Sequence, residues 1–520
     1  MSVKFVNFLA TEFVIGIDLG TTGMKLTVID EHGTQRASAF KAYAMVQPRM
    51  AWAEQNPKDW TAAAIEGLQE VLARSKVPNQ QVVGIGIASQ IDGVVTVDKD
   101  GKPLGNAIIW MDRRAKQECD KIRSMIDDAS FYSLTGLSID PSHTAPKIMW
   151  VRGNLENQYR AADRFLLPGN YLLFFLTGQM FTDHSNASCT MLYDLKRGAW
   201  SKRLCEILEI PVELLPEIRD STSMVGTLTP KVAEMSGLSR EVKVAVGGGD
   251  EEVGAVGAGV LDHRALLDLT GTSEPMCLSL DEPLLDPTRL LECHAHGRNG
   301  RWLLENTGGL SGGIYRWFRD EFAFFEASEG VKAGVDAYEI LNREISSVPA
   351  GSDGLLFLPY LSGSILPEWN PDARGAFLGI TLGHKRQHFA RSIMEGTAYV
   401  LRDYVEHIRG IGLTPTRTVL AGGGARGRVW RQIKTDVIGM RTSSCRDQEV
   451  TVLGAAILAA VGVGFYKSVE DAVSEIVSMA VVDVPVPESM EVYSKLYRLY
   501  REAYDNLKPT SGKIASFQEA

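Results

Sequence analysis

The sequence predicts an α/β protein of two similarly built domains, each a mixed β-sheet flanked by helices, with a cleft between them. Three observations carry this. At about 150 residues per domain, 520 residues favour two or three domains over one. The first hundred residues interleave short apolar strands with one helix, as a mixed sheet with a helical crossover requires. Leu267-Asp268-Leu269-Thr270-Gly271-Thr272-Ser273 then echoes Ile17-Asp18-Leu19-Gly20-Thr21-Thr22 about 250 residues further on, half the chain length, as two copies of one architecture would produce. A boundary at about 260 divides the chain into 1–260 and 261–520.

The elements follow in order. Phe13 to Ile17 is a short apolar run, Lys25 to Val28 alternates, and Asp30-Glu31-His32-Gly33 is a turn, which together make a hairpin. Asn56-Pro57 supplies an N-cap and a proline in the first helical turn for a helix through about Ala73. Val82 to Ile87 reads as a buried strand, and Val94 to Val97 as another ending at Asp100-Gly101. Val450 to Phe465 is apolar but short of the roughly 20 residues that span a bilayer, so it is a buried helix. Met490 to Leu507 carries Val492, Leu496, Leu499 and Tyr500 at helical spacing, a closing amphipathic helix, and the last dozen residues are expected to fray.

Composition narrows the function. With 45% hydrophobic and 23% charged residues, disorder, collagen and coiled coil are excluded. A net charge of -10 gives no general attraction to nucleic acid or anionic lipid, so the expected partner is a small molecule, with no nucleic acid and no membrane. The six cysteines lack CxxC spacing and read as reduced, buried thiols, and Met1 to Ala10 lacks the features of a signal peptide; a cytoplasmic location is expected. Cys293-His294-Ala295-His296 holds soft and imidazole ligands, but no further ligand cluster is apparent in the sequence, so it is read as structural.

The strongest chemical signal is Asp18-Leu19-Gly20-Thr21-Thr22-Gly23. Glycines let backbone N–H groups approach an anion, two hydroxyls add donors, and an acidic residue beside the loop can hold a water of phosphate-bound Mg2+. Gly271-Thr272-Ser273 repeats the turn, so two facing turns would grip one polyphosphate. Glycine runs also end strands at Gly247-Gly248-Gly249-Asp250, Thr307-Gly308-Gly309 and Gly422-Gly423-Gly424-Ala425, the last followed by Arg426, Arg428 and a helix. Asp250 adds a carboxylate at a buried strand end, where a general base would sit.

Taken together, these segments resemble the FGGY carbohydrate kinases of the actin-like ATPase superfamily. The resemblance spans nearly the entire chain, through Trp52 to Gln55, Trp110 to Arg114, Lys147 to Trp150, Leu176-Thr177-Gly178, Thr182-Asp183, Arg374 to Gly379, and His388 to Gly396. It implies two ribonuclease H-like domains, sugar-binding in 1–260 and ATP-binding in 261–520, with ATP and Mg2+ as cofactors and a homodimer as the assembly considered. Asp250 is then the catalytic base and Asp18 the acidic residue near Mg2+ and the γ-phosphate. Gly20, Thr21, Thr22, Gly271 and Thr272 cradle phosphates with Gly308 and Gly309, and Gly422, Gly423, Gly424 and Ala425 form the adenosine-side turn. Gln90, Ile91 and Asp92 face the sugar, with Trp110 walling the pocket.

Departures from the family bear on the substrate. Xylulokinases usually read Gln-Met-His-Gly where this chain has Gln90-Ile91-Asp92-Gly93, and a carboxylate accepts hydrogen bonds from vicinal hydroxyls as in the glycerol kinases. The loop Leu361 to Pro367 lacks the usual Glu-Arg, and Asp250-Glu251-Glu252 is unusually acidic. The expected substrate is a pentulose such as xylulose or ribulose, then a polyol, then an aldonate or deoxyketose. A non-catalytic nucleotide sensor or filament former of the same superfamily would dispense with Asp250. A dinucleotide oxidoreductase lacks its GxGxxG after the first strand.

Overall fold

A computed structural model describes residues 11–519; Met1 to Ala10, read above for a leader, lie outside the described residues. The fold grows from the predicted hairpin. Strand β1 (Phe13–Leu19) is buried along its whole length, β2 (Gly23–Asp30) pairs with it antiparallel, and β3 (Gln35–Ala42) forms a largely exposed edge. Asn56 caps α1 (Pro57–Ser75) by accepting from the Lys58 N–H, and the helix leads across to β4 (Val82–Ser89), parallel to β1. Helices α2 (Thr144–Asn154) and α3 (His184–Ser188) lie in the long excursion that follows. β5 (Met224–Thr227), β6 (Lys243–Ala245) and β7 (Gly248–Gly249) then complete a seven-stranded sheet ordered β5-β6-β4-β1-β2-β3, with β7 beside β4. Helix α4 (Asp250–Gly257) leaves it. Val95–Val97 pairs with Arg164–Leu166 outside this sheet.

The second half repeats the wiring. β8 (Ala265–Leu269) is antiparallel to β9 (Met276–Leu280) and parallel to β12, as β1 is to β2 and β4. The seven strands, which include β10 (Glu292–Ala295), β11 (Trp302–Asn306), β12 (Arg417–Ala421), β13 (Thr442–Cys445) and β14 (Met479–Asp483), run β10-β11-β9-β8-β12-β13-β14. Around them lie α5 (Gly312–Phe322), α6 (Arg428–Ile438), α7 (Val450–Val463) and α8 (Pro487–Glu519). The two mixed sheets with flanking helices are the predicted fold class.

Helix α7 belongs to the second half in sequence but lies on the first sheet. This is a close backbone approach that side chains would block: a Cβ on Gly16 would stand 2.2 Å from the Val452 carbonyl oxygen, and one on Gly86 1.9 Å from that of Ala455. Helix α4 crosses α7 equally closely, with a Cβ on Gly257 1.9 Å from the Val450 oxygen and one on Gly454 2.1 Å from the Val253 oxygen. The apolar run at 450–463 is therefore buried between protein layers, and no helix of the described residues is long and apolar enough to cross a membrane. All six cysteines are free and buried.

One expectation fails. The tail does not fray among the described residues, because α8 continues helically to Glu519, through Pro509. Its buried stripe is Tyr493, Tyr500 and Tyr504, continued by Ala515, whereas Val492 and Leu499 are 36% and 50% exposed. Three tyrosines bury more area than the aliphatic set and set the face of the helix.

Replacing Gly86 by Ala is expected to cost about 1–3 kcal/mol through overpacking against α7, whereas Gly153→Ala, where a Cβ meets nothing within 4 Å, should leave stability unchanged or slightly raised. Urea denaturation midpoints of the two variants check this; equal midpoints would refute the close packing.

Candidate active site

Three glycines place Asp250. Gly247 has φ +81°, and a Cβ there would lie 1.9 Å from the Ile87 oxygen, so the chain comes down against the end of β4 as only glycine allows. β7 pairs with Ala88 and Ser89, and the Gly249 N–H donates to Ser185 Oγ at 2.9 Å. Asp250 thus opens α4 next to the Gln90 turn that follows β4. Asp18, one residue before the end of the adjacent β1, is 8% exposed and faces Lys25 across the hairpin.

The Gly20-Thr21-Thr22 turn is held from below. Gln55, fully buried, donates through Nε2 to the Thr21 carbonyl at 2.6 Å, and its Oε1 accepts from Gln90 Nε2 at 2.8 Å and Trp60 Nε1 at 3.2 Å. Tyr43 donates its hydroxyl to the Gly20 carbonyl. Trp110 Nε1 donates to Thr21 Oγ1 at 2.9 Å, which places the expected pocket wall against the phosphate turn itself. Ile91 packs under Gly249.

Asp92 takes φ +63° and is buried, with its Oδ1 3.1 Å from His143 Nδ1; Lys147 Nζ donates to its backbone oxygen at 2.7 Å. Burial opposes charge on His143, but the Asp92 and Glu292 carboxylates outweigh it and raise its pKa well above the ordinary value. Asp92 therefore carries a counter-ion of its own. Burial lowers the Lys147 pKa to about 8.

In the second half the glycine turns form one group. Gly422 has φ +78° and lies against the Thr270 carbonyl, whose oxygen accepts from the Gly424 N–H at 3.1 Å. The Thr272 carbonyl accepts from the N–H groups of Ser311 (3.1 Å) and Gly313 (3.0 Å), and the Gly309 carbonyl from that of Glu274 (3.1 Å). Arg316 donates to Thr272 Oγ1 at 2.8 Å. Gly271, Thr272 and Gly423 remain exposed, open to a ligand, with Gly308 and Gly309 partly so. Beneath them Lys434 of α6, 2% exposed, donates to Asp268 at 2.6 Å, Glu274 at 2.7 Å and the Thr270 hydroxyl, and so pins the 268–274 turn, to which the other two are bonded through the backbone. Glu449 bridges the halves by pairing with Lys25 on one side and with Arg426 at 3.1 Å on the other.

The electrostatics are those of a site awaiting positive charge. Burial raises the Asp18 pKa to about 6, with Lys25 opposing and Glu449 adding. Asp250 is pushed well above its ordinary value by burial and by Glu251, Asp18 and Glu252. Two hard oxygen donors that repel one another across a phosphate turn fit Mg2+.

Comparison with known proteins agrees with this geometry. Residues 13–257 match the N-terminal domain of the FGGY family of carbohydrate kinases, and residues 269–463 match its C-terminal domain. The chain is 32% identical over 508 residues to a xylulose kinase of Bacillus subtilis (strain 168), covering 98% of this chain and 100% of that protein. It is 29% identical over 509 residues to a gluconokinase of the same organism, covering 98% of each. The solved structure of a ligand-bound xylulose kinase from Lactobacillus acidophilus superposes with a TM-score of 0.87 at 26% identity, over 97% of this chain and 100% of that one. The chain belongs to the FGGY family of carbohydrate kinases, within the actin-like ATPase superfamily. It is a sugar kinase, and ATP is the substrate this family implies.

Sequence reasoning named the turns and the two aspartates, quoted Gln55 without giving it a role, and passed over His143, Glu449 and Lys434. Each is a single polar residue in an ordinary segment, and only burial beside a turn marks it.

The raised Asp18 pKa has a signed consequence. A carboxyl whose folded pKa lies above its unfolded value of about 3.8 favours folding when protonated and opposes it once ionised, so stability is lost as pH rises from about 4 to 6. Ligand-free Asp18→Asn should match the wild type at pH 4 and exceed it by about 3 kcal/mol at pH 7, read as a growing difference in Tm across that range. A constant difference would contradict it.

Proposed function

We propose that this kinase transfers the γ-phosphoryl group of ATP to a hydroxyl of a small pentulose, xylulose-like, in sugar catabolism, with residues 1–260 binding the sugar and 261–520 the nucleotide. The observation that carries the reading is the placement of Asp250 at the start of α4, against the end of β4 and in the field of Asp18. A base there takes the proton of the attacking hydroxyl, which is most acidic as the new O–P bond forms. Asp18 would hold Mg2+, through a water, and that ion supplies the positive charge that lets Asp250 ionise and offsets charge on the transferring group. The turns at Gly20 to Thr22 and Gly271-Thr272 offer backbone N–H groups and hydroxyls to the phosphates, with Gly308 and Gly309 behind them. Gly422 to Ala425 would take the adenosine side. Trp110 links the two functions, because its indole walls the sugar pocket while bonding the phosphate turn.

Gln90, Ile91 and Asp92 would form the sugar side. The xylulose kinase relatives support a ketopentose and the gluconokinase an aldonate, and one feature favours a polyol as the second reading: Asp92 is an acceptor for vicinal hydroxyls, oriented by His143. An aldonate is disfavoured, since its carboxylate would enter a pocket already lined by Asp92 and Asp250.

Asp250→Asn should retain ATP binding and lower kcat by about 100-fold or more, measured by coupled ADP release beside nucleotide titration; turnover near wild type would remove Asp250 from the mechanism. The same assay over pentuloses, pentitols and gluconate should rank them in that order. Asp92→Ala should lower kcat/KM for the best substrate by about 10- to 150-fold, the equivalent of about 1.5–3 kcal/mol for a charged hydrogen bond, with KM for ATP unchanged. A preference for gluconate, or an unaltered ranking in Asp92→Ala, would overturn the assignment of this pocket.

A further inference from the structure

Behind the catalytic turn lies a second cluster that the phosphoryl transfer does not use. Cys189 just after α3, Glu252 in the first turn of α4 and His294 on β10 each offer one ligand atom, and the three atoms lie within 4.8 Å of one another. The Cys189 sulfur stands 3.2 Å from His294 Nδ1 and 3.3 Å from Glu252 Oε1. All three residues are 1% exposed or less. Three separate segments, from both halves of the chain, therefore converge on one point. Of Cys293-His294-Ala295-His296, read above as structural, only His294 takes part; the His296 ring is occupied with the Val260 carbonyl at 2.9 Å.

The polar accounting around the point does not close with protein groups alone. Glu252 Oε2, His294 Nε2, Glu251 Oε2 and both oxygens of Glu305 are buried without a hydrogen-bond partner. Among the described residues, Glu251, Glu252, Glu292 and Glu305 share this interior with His143 and His294, which pair with Glu292 and Glu305. Buried carboxyl oxygens left without a partner are costly, and a cation among them removes part of the cost.

We propose that Cys189, Glu252 and His294 bind a zinc ion. A thiolate with an imidazole and a carboxylate is a zinc donor set and is too soft for Mg2+ or Ca2+. Ligands at zinc bond lengths in tetrahedral array stand about 3.5 Å apart, against the 3.2 and 3.3 Å found here. The second nitrogen of His294 faces Glu292 at 3.6 Å and Glu305 at 3.9 Å, so that a small shift would give a metal-bound imidazole the carboxylate backing that orients it. Binding releases the Cys189 thiol proton and, where His294 is an imidazolium, its Nδ1 proton as well; no redox step is involved. The ion joins α3 and α4 of the first half to β10 of the second, where Gly297 already abuts the Glu252 backbone, so it fixes the start of the helix that presents Asp250.

The test uses the full chain freed of metal by a chelator and titrated with Co2+ alone, without nucleotide or sugar. One equivalent should produce a thiolate-to-cobalt charge-transfer band with intense tetrahedral visible bands, and Zn2+ should abolish both and raise Tm. Cys189→Ser should lose the charge-transfer band and Cys205→Ser should keep it. Glu292→Gln should weaken Zn2+ binding about 10- to 100-fold, as loss of backing to a ligand does. Absence of the band in the folded wild-type protein, with no change in Tm on adding Zn2+, would show a thiol hydrogen-bonded between Glu252 and His294 and overturn the proposal, as would a band that survives in Cys189→Ser.

Discussion

The structure depends on a backbone-to-backbone approach made possible by missing side chains. Gly16 and Gly86 open the face of the first sheet so that α7 can lie directly on it, and Gly257 and Gly454 let α4 cross α7 at the same short range. Both helices begin at functional positions. α4 starts with Asp250, and α7 starts one residue after Glu449, which pairs with Lys25 and Arg426. Because interiors are close-packed and transmit displacement, setting the depth of these two helices sets the separation of Asp250 from the Gly20 to Thr22 turn and of one half from the other.

On that frame the molecule concentrates negative charge where a phosphoryl group must pass. Burial and Glu449 raise the Asp18 pKa, burial, Glu251 and Asp18 raise that of Asp250, Asp92 is balanced by His143, and Lys434 neutralises Asp268 and Glu274 under the second set of turns. The division is chemically sensible. Asp268 and Glu274 beneath the turns, and Asp92, have counter-ions from the protein, whereas Asp250 has carboxyl neighbours and is left to be balanced by what binds there.

Much of this was legible in the residues. The Asp18 to Gly23 turn and its echo at Asp268 to Ser273 foretold two sheets of the same wiring, since a strand ending in Gly-Thr-Thr or Gly-Thr-Ser is a local pattern with a local cause. The N-cap at Asn56 and the buried helix at 450–463 were readable for the same reason. The closing helix was found but its face was not, because tyrosines at Tyr493, Tyr500 and Tyr504 outweigh the aliphatic residues that periodicity favours. Asp92 was recognised as a carboxylate, though not as one already paired, since His143 lies 51 residues away.

The sequence by itself determined the class of fold and marked the two glycine turns and Asp250 that the proposed mechanism uses, because glycine freedom, hydroxyl donors and strand ends act within a few residues of chain. Only the tertiary structure decided which groups are charged and which are satisfied. Gln55 under the first turn, Lys434 under the second, Glu449 between the halves and the meeting of Cys189, Glu252 and His294 all join segments far apart in the chain. Desolvation and Coulomb fields depend on distance through space, which the order of residues does not encode.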